Sequence, residues 1–461
     1  MTSGSLRSPL RGLFASATLA GASLLVGCDG VGPPNPPIEL TATAADSTTS
    51  VDVGHPATVT FTVANPSSRA QDNVQVLVGG SGPGNLRLGD ITCTAQSGTC
   101  PRIDNTNVPA FSMAAGASLT FTATMNQIVP AEGDEEATIS VWTTDRSGIL
   151  KATAHMTAVD GRNGAYEIFA TSGLRTNVDV RFKGADSTFA VSSHSVDQTM
   201  KPQTDFFTFP SGGHLASGPD LLVGQADFGQ GLDDFIAVRN LVTDLSALDG
   251  TSFSTFNLAK GAAASNVDAV TGMAGPLDVW QVAIAGTTMT VCADVVGSIA
   301  SCDPSRVRQY VLTTQAGGGP VFTAMDAAHN DSFTFQVARS GSSLIYLRAD
   351  VAPNDALFSI GFANAQLPSS EHDGLGLVAG KFGVLNVLPS SARFLPLGSD
   401  GLFAMPTYTL GFGGDTLGIP GLVHATRSTD GVEVYLLQQG ALSLTATPTG
   451  ELGFAVDRLL Y

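Results

Sequence analysis

The sequence has little charge, and it lacks the motifs that mark the common catalytic sites. Charged residues make up 13% of the chain, against about 25% in an average globular protein. There is no G-x-S-x-G elbow, no H-E-x-x-H motif, no P-loop and no G-x-G-x-x-G segment that opens a helix. These absences argue against the commonest serine hydrolase arrangement without excluding others. The sequence predicts no catalytic residue, no cofactor and no metal site.

The histidines and paired carboxylates add no predicted site. No two of the seven histidines lie two to four residues apart, which argues against a metal site on one strand or helix. Two pairs of carboxylates, Asp233 with Asp234 and Asp326 with Asp331, lie in predicted loops. Two carboxylates hydrolyse a glycoside only at a separation that the fold must set. We therefore interpret these four residues as solvated turn residues.

The composition that remains is acidic and rich in turn-forming residues. The formal net charge is -18, and loss of Arg7 and Arg11 with a leader peptide takes it to about -20. Such a surface repels phosphate groups, so we predict no nucleic-acid partner. Acidity also keeps an exported protein soluble. The 52 glycines and 24 prolines favour short strands joined by many turns, so the predicted fold class is all-β.

Residues 1–27 are predicted to be a signal peptide. Arg7 and Arg11 supply its positive region, and an apolar run follows over residues 13–26. This run is shorter than the ~20 apolar residues that a spanning helix needs. We therefore expect an export signal, and the alternative is an ordinary cleaved leader with an incidental cysteine at its end.

The leader ends in Leu25-Val26-Gly27-Cys28, which resembles the lipobox of bacterial lipoproteins. The resemblance implies cleavage before Cys28, a diacylglycerol on its thiol and a further acyl group, such as palmitate, on its amine. Two or three acyl chains anchor a protein stably, because each buried CH₂ contributes about 0.8 kcal/mol. We predict a lipid-anchored protein of the bacterial cell envelope, and the choice of inner or outer membrane stays open. Residues 28–37 then form a Pro-rich, stiff spacer.

Four further cysteines fall into two close pairs, Cys93 with Cys100 and Cys292 with Cys302. In the oxidising compartment that export implies, each pair predicts a disulfide. Each disulfide would contribute roughly 2–3 kcal/mol by loop closure. Zinc is the alternative, but neither spacing matches a C-x-x-C motif and no histidine lies near either pair in sequence.

Residues 38–159 show the period-two alternation of strands with one buried face. Val59, Phe61 and Val63 alternate with threonines, and residues 119–123 repeat the pattern. Turn signals separate the runs. About seven strands at this spacing predict a β-sandwich.

The stretch from Thr58 to Asn65, a strand that runs into Asn and a turn, resembles Ig-like repeat domains of bacterial surface proteins. The resemblance implies a stalk or adhesion module without catalysis. The acidic run from Glu132 to Glu136 is compatible with a Ca²⁺ site or with a solvated turn. We favour the turn, because the run lacks the alternating ligand order of a calcium loop.

Residues 164–461 are predicted to form a larger β-rich head. Its one helical pattern covers residues 241–248, where Leu241, Leu245 and Leu248 share a face. About eight strand-like runs lie between residues 235 and 363, the number that closes a small up-and-down barrel. A closed barrel and an open sheet or sandwich both remain compatible with these runs.

Within the head, two short segments are similar to each other, and a third segment is similar to one known protein family. The segment Leu248-Asp249-Gly250, followed by Phe253, faintly resembles the opening of lipocalin-like barrels. Ala338-Arg339-Ser340 and Thr426-Arg427-Ser428 each precede an apolar run. Either two β-units are related, or Ser- and Gly-rich hairpins are alike by chance.

Three functions are compatible with this sequence. The favoured one is a non-enzymatic binding, adhesion or scaffold role at the envelope, with the membrane as one partner and a protein, glycan or small molecule as the other. The second is a carrier whose barrel encloses a small apolar ligand. The third is a hydrolase of an envelope or extracellular polymer, with a cleft in which scattered Asp, Glu and His converge.

Overall fold

The structure is a computed structural model. It describes residues 37–45, 50–53, 55–144, 146–183, 186–192, 197–203, 206–218, 220–261, 276–292, 296–314, 319–352, 355–378, 380–398, 408–412 and 418–457. The predicted signal peptide, Cys28 and nearly all of the spacer lie outside these residues. The all-β prediction is confirmed, because nearly every described element is a strand.

Residues 37–158 form a sandwich of two sheets. The first sheet contains, in spatial order, β1 (Thr41–Ala45), β3 (Ala57–Ala64), β7 (Ser118–Asn126) and β5 (Arg87–Ser97). The second contains β2 (Ser50–Val51), β9 (Leu150–Ala158), β8 (Gly133–Thr143), β4 (Gln71–Ser81) and β6 (Val108–Met113). The described residues thus form nine strands, where the sequence spacing predicts about seven, and the two extra strands are short or lie at an edge.

Alternation in the sandwich reflects a single core between the two sheets. In β3 every second residue is buried, and Val59, Phe61 and Val63 point inward. Phe61 and Phe121 are direct neighbours across β3 and β7. Both side chains are fully buried, so each sheet presents one apolar face and one polar face.

The head begins with a closed eight-stranded antiparallel barrel. Its strands follow one another around the ring, and β10 closes it by pairing with β17. They are β10 (Gly164–Ala170), β11 (Arg175–Arg181), β12 (Ser187–Val191), β13 (Asp197–Pro202), β14 (Phe207–Thr208), β15 (His214–Ser217), β16 (Leu221–Asp227) and β17 (Leu232–Val238).

A second ring lies within the segment for which the sequence leaves a closed barrel and an open sheet or sandwich both open. β18 pairs with both β26 and β19, so eight antiparallel strands close on themselves, and β21 lies outside the ring beside β19. The strands are β18 (Ser252–Gly261), β19 (Leu277–Ala285), β20 (Thr288–Cys292), β21 (Val296–Gly297), β22 (Val307–Thr314), β23 (Phe322–Asp326), β24 (Asp331–Ser340), β25 (Ser343–Ala352) and β26 (Asp355–Ala363).

A third closed barrel completes the described part of the head. Its strands are β27 (His372–Val378), β28 (Lys381–Leu388), β29 (Ser391–Pro396), β30 (Tyr408–Phe412), β31 (Val423–Arg427), β32 (Glu433–Gln439), β33 (Leu442–Ala446) and β34 (Leu452–Asp457). The architecture therefore repeats three times. The similar segments at Ala338 and Thr426 end β24 and β31, which are the sixth and fifth strands of their rings, so these matches do not mark equivalent positions.

Aromatic side chains fill the interior of the first barrel. The ring of Phe189 lies 5.2 Å from that of Phe209 and 5.5 Å from that of Phe235. Phe228 packs against Phe235 at 5.6 Å. These centroid distances are those of directly packed rings, so the side chains occupy the space in which a carrier would hold its ligand.

The outer faces of the three barrels pack together in a further hydrophobic cluster, which we call the inter-barrel core. Its largest members include Phe169, Ile236, Phe256, Phe358, Leu377 and Phe454. The rings of Phe358 and Phe454 meet at 5.7 Å between the second and third barrels. The rings of Phe206 and Phe382 meet at 5.2 Å between the first and third. Strands at this core are buried on both faces.

The connection between sandwich and head is held by Arg162. Its guanidinium bonds to both carboxylate oxygens of Asp160 and donates to Ser217 Oγ at 2.8 Å in the first barrel. It also lies over the ring of Phe182, with 4.3 Å from its central carbon to the ring centroid. The start of the head is thereby tied to the end of the sandwich.

Two local predictions differ from the structure. The helical pattern over residues 241–248 corresponds to a shorter 3-10 helix, Leu245–Leu248, capped by the Asp244 side chain. The acidic run does not form a solvated turn, because β8 begins at Gly133 and Glu135 is fully buried. In the part of the chain that the structure describes, no helix is long and apolar enough to cross a membrane.

Candidate functional site

Both predicted disulfides are present. Cys93 in β5 is bonded to Cys100 in the loop that follows, and Cys292 at the end of β20 is bonded to Cys302. The first disulfide braces an edge strand of the sandwich. The second braces the short 3-10 turn Ile299–Ser301 on the second barrel. Each disulfide therefore stabilises a local segment at the edge of a sheet.

The paired carboxylates hold strand ends and do not form a shared site. Asp233 accepts hydrogen bonds from Thr171 Oγ1 and from the Ser172 amide in the first barrel. Asp326 lies in the second barrel opposite Asp331 and is nearly buried. The interpretation of Asp326 as a solvated turn residue is therefore wrong.

Asp326 organises a turn with His329. Its Oδ2 lies 2.5 Å from His329 Nδ1, and its Oδ1 accepts from the amides of Ala328 and His329. Burial raises the pKa of Asp326, but these hydrogen bonds outweigh that effect and hold the pKa below its ordinary value. The carboxylate is thus a turn-holding anion.

Glu135 is a buried carboxylate within the sandwich, and only one of its two oxygens has a hydrogen-bond partner. One of its carboxylate oxygens accepts from the Gly84 amide, while Oε2 is buried without a hydrogen-bond partner. Burial raises the pKa of Glu135, and the Gly84 bond opposes that rise. Oε1 of Gln127 is likewise buried without a partner. We therefore expect Glu135 to make the stability of the sandwich depend on pH.

The strongest candidate site is a recess between the second and third barrels, which we call the junction recess. It encloses about 370 Å³. Polar side chains dominate its lining, and they include Ser343, Asn364, Ser369, His372, Gln438 and Gln439. Hydroxyl, amide and imidazole groups in a recess of this size can form several directed hydrogen bonds to one ligand.

Three separate parts of the head build the junction recess. Ser343 comes from the β24–β25 turn, Asn364 begins the segment that joins the two barrels, and Gln439 ends β32. Gly440 follows with a φ of 56°, and a Cβ there would lie 2.9 Å from Ser343 Oγ. A glycine therefore allows the turn of the third barrel to approach the turn of the second.

Two amide oxygens in the lining have unmet hydrogen-bonding capacity. Gln438 is 6% exposed, and neither its Oε1 nor that of Gln439 has a hydrogen-bond partner. A buried acceptor without a partner costs about 1–3 kcal/mol. Both oxygens are covered by protein atoms, so a hydrogen-bond donor in the recess reaches them only if the two side chains turn toward it.

His372 joins the recess to a short chain of hydrogen-bonding groups. Its Nε2 lies 2.9 Å from Ser370 Oγ, and its Nδ1 lies 3.5 Å from Asp457 Oδ2. Ser370 is exposed, and His372 is half-buried. The order hydroxyl, imidazole, carboxylate is the arrangement that activates a serine.

Closure of the third barrel brings His372 and Asp457 together. Gly374 pairs with Asp457 where β27 meets β34, so the start of the first strand lies beside the end of the last. The Asp457 amide also donates to the Ala441 carbonyl at 2.7 Å. The Asp457 backbone is therefore held from two neighbouring strands.

Burial raises the pKa of the Asp457 carboxyl, the contact with His372 lowers it, and nearby Asp373 raises it further. Asn386 donates to both Glu371 at 2.9 Å and Asp373 at 2.7 Å. These two flanking carboxylates are thus engaged by β28, while Asp457 contacts the imidazole.

Sequence reasoning missed this site. His372 was one of seven scattered histidines, and Asp457 is remote from it in the chain. The local signal was Ser370-Glu371-His372, which on a strand or extended segment places a serine and a histidine on one side. That spacing is too common to indicate a site without the carboxylate that barrel closure supplies.

No protein-family model matches this chain, and no curated protein is similar to it in sequence. A family 123 glycoside hydrolase from Clostridium perfringens matches at 10% identity over 27% of this chain and 28% of that chain, with a TM-score of 0.21. The C-terminal domain of the AgI/II polypeptide BspA from Streptococcus agalactiae matches at 8% identity over 80% and 98%, with a TM-score of 0.18.

A quinonprotein alcohol dehydrogenase-like protein from Bacteroides thetaiotaomicron matches at 11% identity over 89% of this chain and 95% of that chain, with a TM-score of 0.15. At TM-scores this low, none of the three structures carries an argument about this chain. The functional conclusion therefore depends on the geometry of the head and on the sequence.

Proposed function

We propose that this protein is a lipid-anchored bacterial envelope protein whose head binds a hydroxyl-rich polymer, such as a polysaccharide, in the junction recess. The observation that carries the proposal is the lining of hydroxyl, amide and imidazole side chains, to which Gln438 and Gln439 both contribute. Sugar hydroxyls both donate hydrogen bonds to amide and hydroxyl oxygens and accept them from amide N–H groups.

The filled barrel interior supports binding at the junction recess over an enclosed apolar ligand. Phe189, Phe209 and Phe235 pack against one another inside the first barrel. A carrier needs an apolar space that its own side chains do not occupy. The junction recess is open to solvent and polar, which suits one stretch of a long polymer.

The placement at the envelope depends on Cys28, which lies outside the described residues. The lipobox predicts an acylated Cys28, and residues 28–37 would hold the folded part away from the membrane. Cys28→Ser should move the protein from the membrane fraction to the soluble fraction. A variant that stays membrane-bound would contradict the anchor.

Polymer binding is testable by co-sedimentation with insoluble polysaccharides: peptidoglycan sacculi, chitin, cellulose and xylan. We expect the wild-type protein to sediment with at least one of them. The double variant Gln438→Leu/Gln439→Leu should weaken that binding about tenfold, because each neutral hydrogen bond contributes roughly 0.5–1.5 kcal/mol. The variant should fold, because it removes polar atoms that lack partners.

Gln96→Leu is the matched control, since Gln96 is an exposed glutamine of the sandwich, remote from the junction recess in the fold. It should bind like the wild type. Equal loss in both variants, or no sedimentation of the wild type with any of the four polymers, would overturn the proposed function.

A further inference from the structure

We propose that the junction recess is also an esterase site, in which Ser370 is the nucleophile, His372 its general base and Asp457 the group that orients the imidazole. The substrate would be a short acyl ester on a hydroxyl of the bound polymer. This inference rests on the proposed function, because the junction recess is where the polymer would present that ester.

The order of the three groups sets the direction of proton transfer. With the Nδ1 proton pointing to Asp457 Oδ2 at 3.5 Å, the lone pair of Nε2 is free to accept the Ser370 hydroxyl proton at 2.9 Å. The serine distance lies within the reach of a general base, and the longer carboxylate distance is of the kind that shortens when substrate binds.

The position of Ser370 suits attack on a bound ester. Ser369 and His372, on either side of it in the chain, both line the junction recess. Ser370 itself does not line the recess but is exposed beside it, so its hydroxyl is open to an ester group that extends out of the recess. The nucleophile belongs to the segment between the barrels, whereas the base and carboxylate belong to the first and last strands of the third barrel.

The reaction balances without any further cofactor. Ser370 Oγ bonds to the ester carbonyl carbon as its proton passes to His372 Nε2. The carbon–oxygen bond to the polymer then breaks, and the polymer hydroxyl leaves with that proton. Water, deprotonated by His372, attacks the acyl-serine, releases a short carboxylic acid and returns Ser370 and His372 to their first states.

The recess itself limits the acyl group. A volume of about 370 Å³ lies at the low end of ligand sites, which range over roughly 300–1,000 Å³. A polymer residue fills most of that space, and the lining offers mostly hydroxyl and amide groups. The chemistry therefore favours an acetyl or similarly short group over a long fatty acyl chain.

The test uses the full mature protein with two probes, a biotinylated fluorophosphonate and p-nitrophenyl acetate. We expect the fluorophosphonate to label one site, and peptide mass spectrometry to locate it at Ser370. Ser370→Ala and His372→Ala should abolish labelling and lower p-nitrophenyl acetate hydrolysis about 100-fold or more. Asp457→Asn should cause a smaller loss in both assays.

Ser305→Ala is the matched control. Ser305 is an exposed serine of the head whose hydroxyl bonds directly to Asp303 at 2.8 Å, with no imidazole between them. It should label and hydrolyse like the wild type. Circular dichroism should show unchanged strand content in each variant, because Ser370 and Ser305 are both exposed.

The two proposals fail separately. Absence of labelling in the wild type, labelling elsewhere, or a Ser370→Ala variant that hydrolyses p-nitrophenyl acetate at the wild-type rate overturns the esterase site, even if polysaccharide binding is found. Labelling at Ser370 with loss of hydrolysis in Ser370→Ala supports it. In that case a wild type that sediments with no polysaccharide overturns only the polymer-binding function.

Discussion

The sandwich and the head are both built of antiparallel strands, but their strands are buried differently. In β3 buried residues alternate with more exposed ones, because one face meets the core and the other meets solvent. In β33 all five residues, Leu442–Ala446, are buried. One face of such a strand looks into its own barrel and the other looks into the inter-barrel core. Both faces of β33 are thus covered, although its sequence Leu-Ser-Leu-Thr-Ala still alternates apolar with polar residues, so burial on two faces does not require an apolar residue at every position.

This difference also separates the two regions energetically. The sandwich has one continuous core, so it can unfold as a unit by itself. The head has a core inside each barrel and the inter-barrel core among them. Because all three barrels contribute large side chains to the inter-barrel core, we expect the head to unfold as one cooperative unit.

The largest expected effect comes from cutting the inter-barrel core. Phe454→Ala removes a fully buried ring that packs on Phe358 of the neighbouring barrel. The head should lose about 3–5 kcal/mol of unfolding free energy. In calorimetry the transition of the head should move to lower temperature without splitting, while the sandwich transition stays in place.

Phe121→Ala is the counterpart in the sandwich, where Phe121 is equally buried. It should lower the sandwich transition and leave the head unchanged. If Phe454→Ala instead increases hydrogen exchange only in β27–β34, the three barrels unfold independently. The expectation that the head unfolds as one cooperative unit would then be wrong.

Removing the disulfides should shift the unfolding temperatures of the two regions by different amounts, because the regions differ in size. Cys93→Ser/Cys100→Ser and Cys292→Ser/Cys302→Ser each lose about 2–3 kcal/mol, because the two closed loops have similar lengths. The same loss moves the midpoint of a larger unit less. We expect a shift of about 10 °C for the sandwich and about 4 °C for the head. Shifts of equal size would show that the head does not unfold as one unit.

The smallest expected effect concerns Glu135, whose protonation should make the stability of the sandwich, but not that of the head, depend on pH. Burial raises the pKa of Glu135 above its ordinary value of 4.5, so the folded sandwich binds this proton more tightly than the unfolded chain. Its contribution to stability is complete below the unfolded pKa and is lost as pH rises through the folded pKa. Glu135→Gln should therefore stabilise the sandwich at pH 7 by about 1–2 kcal/mol, and the gain should vanish near pH 4.

Thermal unfolding of both proteins at pH 4 and pH 7 measures this effect, and the head transition should not respond. Glu136→Gln is the control, because Glu136 is exposed beside His155 at 3.7 Å. It should change stability by no more than about 0.5 kcal/mol. A stabilisation by Glu135→Gln that is equal at both pH values would contradict a protonation origin.

Sequence patterns predicted the sandwich better than the head for a physical reason. Val59, Phe61 and Val63 alternate with threonines, and alternation identifies both the strand and its buried face. Residues Leu221–Val223 are apolar and buried at each position, so the period of this strand is hidden and only the presence of a strand is legible. For residues 235–363 the sequence is compatible with a closed barrel and with an open sheet or sandwich, and it does not indicate the two flanking rings.

The candidate site was less predictable still. Gln438 and Gln439 read as ordinary polar residues at a strand end, and nothing nearby in sequence indicates that their amide oxygens would lie without partners against another barrel. Glu135 was read as part of a solvated run, because charge runs are usually exposed. Its burial follows from the Gly84 loop folding over it, which is a contact between distant parts of the chain.

The sequence by itself determined the all-β class and the pairing of Cys93 with Cys100 and of Cys292 with Cys302, because both depend on local composition or short spacing. The export signal and the lipobox stay predictions from the sequence. Only the tertiary structure decided how many rings close, which strand faces become buried twice, and that Ser370, His372 and Asp457 meet. Ring closure joins the first strand of a barrel to its last, and the pairing that achieves this links residues too far apart for any local period to record.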